Sequence, residues 1–191
     1  MARRSNASLA RPRRFRRDRP RILIVTEGER TEDQYFRGLA QYFRATGTTV
    51  RSADVQLEGV GKDPGRVVRA ALAAKQADPD FDAVWVAFDL DDHTRVSETV
   101  ATALRAGLRV AITNPCFELW LVWHFRCHAR HSDAKELSRI LQGYGINGKH
   151  MPQVFDYSLH ENALMNAIVV VDTVPPNPGS GVPQLVRRIR N

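Results

Sequence analysis

Three acidic residues and a histidine follow an apolar run near the middle of the chain. The run is AVWVAF, residues 83–88, and DLDDH, residues 89–93, comes directly after it. Two carboxylates two positions apart, as in Asp89 and Asp91, suit a hard cation such as Mg²⁺, which completes its coordination with water and substrate phosphate. Alternatively, these acids cap the helix that follows, and Asp92 fits that role. The spacing alone leaves both interpretations open.

Two further acids stand at positions that point to a site. Glu27 follows the apolar run ILIV, residues 22–25, after one threonine. Glu118 lies inside CFELWLVWHF, residues 116–125, where a carboxylate among aromatic residues is costly unless it is paired or bound to a metal. We therefore expect Glu27 and Glu118 to belong to the same site as Asp89 and Asp91.

Strand and helix patterns alternate along the chain from residue 21. Apolar runs predict strands at 22–25, 55–57, 83–88 and 109–113, and helical patterns follow from 31, 63, about 94 and 114. Later helices are predicted from 132, from 158 and at the C-terminus. This order predicts an α/β fold with a mainly parallel sheet covered by helices on both faces and extra C-terminal helices.

The predicted sheet brings the acids together. In parallel sheets the carboxyl ends of the strands share one edge, where ligands bind. Glu27, Asp89, Asp91 and Asn114 all follow or end predicted strands. Thr31 with Gln34 three residues later also predicts a capping box at the start of the helix beyond Glu27.

Positive charge is concentrated at the N-terminus. Residues 1–21 hold nine arginines and one acid, a net charge of +8, and the whole chain is +7, so residues 22–191 carry about −1. We expect residues 1–20 to be a disordered tail and residues 21–191 to form a single domain. The tail is either an electrostatic arm for nucleic acid, through Arg13, Arg14, Arg16 and Arg17, or a solubilising leader without a specific partner.

Other features indicate the compartment. Cys116 and Cys127 have no metal-binding spacing and are expected to be reduced thiols. No apolar run is long enough to span a bilayer, and the basic N-terminus has no signal-peptide core behind it. The sequence predicts a cytoplasmic protein with no membrane partner.

Several other chemistries fit poorly. The segment EGVGKDP, residues 58–64, fails the P-loop pattern at both ends, although Lys62 could still face a phosphate. A DxDxT phosphatase pattern would need threonine where His93 stands. GxSxG and HExxH are absent.

Three segments together resemble the RloB-like family: ILIVTEGERTEDQYFRGL, VWVAFDLDDH and AITNPCFELWLVWHF. The closing segment NPGSGVPQLV resembles that family as well, so the resemblance covers about residues 20–190. Members are small bacterial proteins with a Toprim-like (Rossmann-like) domain, often encoded beside an ABC-type or AAA-type ATPase in restriction or abortive-infection loci. Thr26 stands where the family commonly has cysteine, which leaves the adjacent acid unchanged.

The resemblance implies a nuclease of anti-phage defence that cleaves RNA, such as tRNA, or DNA with Mg²⁺ or Mn²⁺. Asp89, Asp91 and Glu27 would hold metal, with Glu27 alternatively acting as general base, and His93 and Glu118 would orient groups or transfer protons. Lys62 and Lys149 are both candidates for a catalytic lysine and for contacts with the nucleic acid. Two other functions stay open: a non-catalytic nucleic-acid-binding subunit, and a small-molecule phosphatase or phosphotransferase.

Overall fold

The computed structural model of the chain describes residues 20–27, 30–46, 54–59, 63–90, 96–148 and 150–190, with the backbone alone for 54–59. Strands and helices alternate along most of this length. The strands are β1 (Arg21–Thr26), β2 (Asp54–Gly59), β3 (Ala83–Asp89), β4 (Arg109–Asn114) and β5 (Gly179–Ser180). The helices are α1 (Thr31–Ala45), α2 (Pro64–Ala77), α3 (Val96–Arg105), α4 (Glu118–Phe125), α5 (Ala134–Gln142), α6 (His160–Asn166) and α7 (Val182–Arg190). A turn of 3₁₀ helix, Tyr157–Leu159, leads into α6.

The strands form one sheet in the order β2-β1-β3-β4-β5. The first four are parallel, and β5 runs antiparallel to β4. This architecture confirms the α/β fold with a mainly parallel sheet. From β1 the chain moves outward to β2, whereas from β3 it moves outward in the other direction, to β4. Neighbouring strands whose connections diverge in this way leave a crevice at their carboxyl ends, which is where doubly wound sheets bind ligands.

Helices cover both faces of the sheet, as its continuous apolar strands require. In β1, Ile22 and Ile24 are fully buried in a core shared with α1, α4, α5, α6 and α7. The alternate residues Leu23 and Val25 are buried on the opposite face, where α2 and α3 pack. A strand that is apolar on both sides is stable only between two such layers.

The segment after α6 lies against β4. Ser180 donates its N–H to Ile168 at 3.0 Å, and its carbonyl accepts from Val170 at 2.9 Å. Its hydroxyl also lies 2.8 Å from that of Thr113. At Gly181 a Cβ would be 3.0 Å from the Cα of Ala111, so this close approach requires glycine. The predicted Pro-Gly loop therefore contains a short edge strand, β5.

Several predicted helix starts can be compared with the structure. The prediction for α2 is confirmed, because the carboxylate of Asp63 accepts from the N–H of Gly65 at 3.0 Å, with proline at the first position. The predicted start of α4 at residue 114 was wrong, because Asn114 still pairs with Gly179 and the helix begins at Glu118.

The later helices begin two residues after their predicted starts. Asp133 caps α5 by accepting from the N–H of Glu136 at 2.7 Å. Asp156 caps the 3₁₀ turn before α6 by accepting from the N–H of Ser158 at 3.0 Å. In each case an aspartate supplies the cap. No helix within the described ranges combines the length and apolar character that crossing a membrane requires.

Candidate functional site

Glu27 and Asp89 leave neighbouring strands at the crevice between β1 and β3. The parallel register pairs Thr26 with Ala87, and the N–H of Glu27 donates to the carbonyl of Ala87 at 2.9 Å. Glu27 therefore emerges beside the last residues of β3, of which Asp89 is the final one. Paired strands lie about 4.8 Å apart, so Glu27 and Asp89 leave the same edge of the sheet, as the sequence predicted.

Asp89 projects toward the face covered by α1 and α4. Side chains alternate along a strand, and Trp85 and Ala87 belong to the core on that face. Asp89, two residues beyond Ala87, has the same direction. Cys116 lies in the same core, and Asp89 is near enough to affect its pKa. The carboxylate is half-buried, so it faces the crevice with one side in the protein.

Cys116 connects Asp89 with Glu118. Burial raises the pKa of the Cys116 thiol far above its ordinary value, and the negative charges of Glu118 and Asp89 raise it further. A hydrogen bond with the Glu118 side chain contributes to the same shift. Because the thiol keeps its proton, S–H is the donor and the carboxylate of Glu118 is the acceptor. Glu118 and Asp89 therefore both act on Cys116, and the membership of Glu118 in the site stays a prediction.

Aromatic packing holds the first turn of α4 in place. The ring of Phe117, directly before Glu118, lies 5.5 Å from that of Tyr35 and 5.7 Å from that of Phe36, both in α1. Edge-to-face pairs of this kind stabilise a defined orientation. The start of α4 is therefore fixed against α1, which itself begins four residues after Glu27.

Asn114 reaches the same edge but is used structurally. Its side-chain amide donates to the carbonyl of Pro175 at 2.9 Å. This bond ties the proline-rich segment before β5 across the end of β4. The open part of the edge is then the crevice between β1 and β3, where the acids lie.

His124 and Trp123, two residues of α4 with polar ring nitrogens, are part of the core. His124 donates from Nδ1 to the carbonyl of Trp120 at 2.9 Å, so its Nε2 accepts from the hydroxyl of Tyr35 at 3.0 Å. Burial lowers the pKa of His124 to about 4 and raises that of Tyr35 above its ordinary value. His124 and Trp123 are fully buried, which confirms that they serve packing.

The donor chemistry at this edge suits a divalent cation. Mg²⁺ commonly takes one or two protein carboxylates and otherwise binds water and substrate oxygens. Glu27 and Asp89 supply two such groups. Within the described ranges, no group of three or more His, Cys, Asp or Glu side chains is placed to hold a metal. Asp91, the predicted third carboxylate, lies outside those ranges, so the Mg²⁺ or Mn²⁺ site stays a prediction.

The other predicted site residues also lie outside the described residues. They are His93, Lys62 and Lys149, together with the tail arginines Arg13, Arg14, Arg16 and Arg17. Asp63 and His150, which directly follow two of these residues in the sequence, are described. Asp63, after Lys62, caps α2, and His150, after Lys149, contacts α1.

Gln34 shows a contact that the sequence reasoning missed. Its Oε1 accepts from the N–H of Met151 at 2.8 Å, and its Nε2 lies 3.3 Å from Nδ1 of His150. The predicted capping box between Thr31 and Gln34 was therefore wrong. His150 and Met151 lie 116 and 117 positions after Gln34 in the sequence, and no local pattern indicates such a pairing.

Comparisons with known proteins are consistent with this architecture. Searches of curated proteins and of solved structures returned no significant match. A family model described as RloB-like protein matches residues 22–189, which is most of the chain and includes every described residue of the acid cluster. The chain therefore belongs to the RloB-like family.

Proposed function

We propose that this protein is a metal-dependent nuclease that hydrolyses phosphodiester bonds of RNA or DNA in bacterial anti-phage defence, working with an ATPase partner. The observation that carries the proposal is the pair of carboxylates, Glu27 and Asp89, at the crevice between β1 and β3. Ligands in sheets of this order bind at that crevice. Glu118 and Asp89 both act on the Cys116 thiol, which supports a role for Glu118 near this edge.

The acids have distinct roles in this proposal. Asp89 and Asp91 would hold Mg²⁺, which when bound polarises a phosphate oxygen and lowers the pKa of a bound water. Glu27, on the neighbouring strand, would hold a second ion or accept the proton of the attacking water. Glu118 would orient this water from the start of α4, and His93 would assist proton transfer.

Basic residues would hold the polyanionic substrate. The tail arginines would bind backbone phosphates, with the salt dependence typical of such contacts. Lys62 and Lys149 are the candidates for a lysine near the scissile phosphate. Lys62 precedes the N-cap of α2, and α2 begins at the same edge of the sheet as the acids.

The proposal is tested by exchanging each carboxylate for its amide. With Mg²⁺ present, Glu27→Gln and Asp89→Asn should each reduce cleavage of tRNA or plasmid DNA by roughly 100-fold or more, because metal binding supplies several kcal/mol of transition-state stabilisation. Both variants should keep the thermal midpoint and circular dichroism of the wild type. Glu98→Gln removes an exposed carboxylate of α3 and serves as the matched control.

Activity could depend on the ATPase, so the same variants should also be expressed in bacteria together with it. Growth inhibition by the wild type and by Glu98→Gln, with relief in Glu27→Gln and Asp89→Asn, supports the nuclease. Equal cleavage or equal toxicity in all four proteins would refute it.

A non-catalytic nucleic-acid-binding subunit is the second candidate, favoured by the net charge of +8 within residues 1–21. It predicts that deleting residues 1–20 abolishes binding and the cellular phenotype. The acid variants would then change neither of them.

A further inference from the structure

Gln34 in the first turn of α1 determines which nitrogen of His150 carries a proton. A backbone N–H can only donate, so the Gln34 atom 2.8 Å from the nitrogen of Met151 is the carbonyl oxygen. The other terminal atom is therefore the amide nitrogen, 3.3 Å from Nδ1 of His150. Since that amide only donates, Nδ1 accepts, and the neutral ring carries its proton on Nε2.

None of the residues that the structure describes forms a hydrogen bond with Nε2 of His150, which leaves its N–H to a ligand. His150 is exposed, and residues 150 and 151 are both held by the same glutamine side chain. Asp33, an acid of the same helical turn, accepts two hydrogen bonds from Arg37, at 2.8 and 2.9 Å. The ring is thus positioned by an amide instead of a carboxylate.

Aromatic contacts relate His150 to the acid cluster. Gln34 is followed in α1 by Tyr35, whose ring packs 5.5 Å from that of Phe117. Phe117 lies in the sequence between Glu118 and Cys116, and the charges of Glu118 and Asp89 both raise the pKa of the Cys116 thiol. The start of α1, where His150 is held, therefore lies beside the start of α4, where Glu118 begins the helix.

We propose that His150 is a substrate-binding residue whose Nε2–H donates to a non-bridging phosphate oxygen of the nucleic acid, and that Gln34 positions it. This inference rests on the proposed function, because it assigns a phosphodiester to the same edge. A site lined by carboxylates repels phosphate and needs donors to retain it. An N–H donor that is positioned by an amide meets that need without using one of the carboxylates.

The test compares His150→Ala with His150→Gln, whose side-chain amide can still donate. His150→Ala should lower kcat/KM for an oligonucleotide roughly tenfold, mainly through KM, because it removes a hydrogen bond to a charged oxygen. His150→Gln should recover most of this loss. The matched control is His131→Ala, which removes another exposed histidine. Thermal midpoints of all variants should equal that of the wild type.

A second measurement does not depend on cleavage. In the Glu27→Gln background with Ca²⁺ in place of Mg²⁺, ¹⁵N NMR should show Nε2 of His150 shifting on addition of the oligonucleotide, while His131 does not shift. Wild-type kcat/KM in His150→Ala, or an unchanged Nε2 signal with bound oligonucleotide, overturns the inference. If the wild type does not cleave but Nε2 shifts, the nuclease proposal fails and the phosphate contact stands.

Discussion

At the scale of single residues, Cys116 interacts with Asp89 at the end of β3 and with Glu118 at the start of α4. It is 4% exposed, hydrogen-bonded to Glu118 and close enough to Asp89 for that charge to raise its pKa. A protonated thiol between two acids donates to one of them without neutralising either. Its contact with Glu118 therefore holds that side chain at the start of α4.

Alkylation should distinguish the two cysteines by the reactivity of their thiols. Cys127 is exposed, whereas burial first and the neighbouring acids second raise the pKa of Cys116. Because the thiolate is the reactive form, iodoacetamide at pH 8 should label the native protein once, at Cys127, as read by mass spectrometry.

The control for this labelling is Cys127→Ser. It should take no label in the native state and one label in denaturant. Rapid labelling of native Cys127→Ser at Cys116 would contradict the protonated, buried thiol.

At the scale of elements, α4 shows how a helix can be apolar on nearly every side. Leu119, Trp120, Leu121, Val122, Trp123 and His124 are all buried. A helix of this kind is stable only when surrounded, and α5 and α6 together with the sheet surround it. Its one imidazole is satisfied by Tyr35 and Trp120, so the core tolerates it only as the neutral ring.

Lowering the pH should therefore destabilise the protein, because it favours protonation of His124 in the unfolded chain. Burial lowers the pKa of His124 to about 4 from 6.5 in the unfolded chain, so the unfolded state binds the proton first as pH falls. Stability is complete above about pH 6.5 and decreases down to about pH 4. Between pH 7.5 and 5.0 the expected loss is about 2 kcal/mol, measured by urea unfolding.

Two variants identify the source of that loss. His124→Gln should unfold at a lower urea concentration at pH 7.5 but lose much less on acidification. His131→Ala, at an exposed position, should lose as much as the wild type. His128, whose pKa is also lowered by burial, contributes in the same direction. An equal urea midpoint at the two pH values in the wild type would contradict the prediction.

The sequence predicted elements where local patterns decide them. Continuous apolar runs located β1, β3 and β4, and Asp63-Pro64 located α2, because strand burial and helix capping depend on adjacent residues. It did not predict β5, whose two residues are strand only because β4 pairs with them. The side chain of Gln34 was misassigned for the same reason, since its partners come from a distant segment.

The sequence also predicted the candidate site only in part. The edge position of Glu27 and Asp89 follows from parallel strands, which is why the sequence could indicate it. The link through Cys116 depends on how α4 packs against α1, and sequence alone suggested only a buried small residue. The contact of His150 with Gln34 in α1 likewise had no signal in its sequence neighbours.

At the scale of the whole molecule, the excess positive charge and the acids of the candidate site lie in different parts of the chain. Residues 22–191 carry about −1 in total, so attraction to a polyanion must come mainly from the first 21 residues. The acid cluster itself repels phosphate. In the proposed nuclease, a tail that increases the local concentration of nucleic acid would offset that repulsion, and the acids would carry the cleavage chemistry.

Replacing Arg13, Arg14, Arg16 and Arg17 with glutamine should therefore weaken nucleic-acid binding and make it less sensitive to salt. Removing one phosphate interaction reduces the slope of log K against log salt by about 0.7 to 0.9, so removing all four should flatten it by roughly 3. The measurement is fluorescence anisotropy of a labelled oligonucleotide from about 50 to 300 mM salt, the range over which such slopes are resolved.

The matched control replaces four exposed arginines of the body, Arg105, Arg126, Arg139 and Arg187. The same change in net charge there should flatten the slope by less than about 1, since those side chains do not belong to the proposed binding arm. Equal slopes for the two quadruple variants would show that binding follows net charge alone and that the tail is only a solubilising leader.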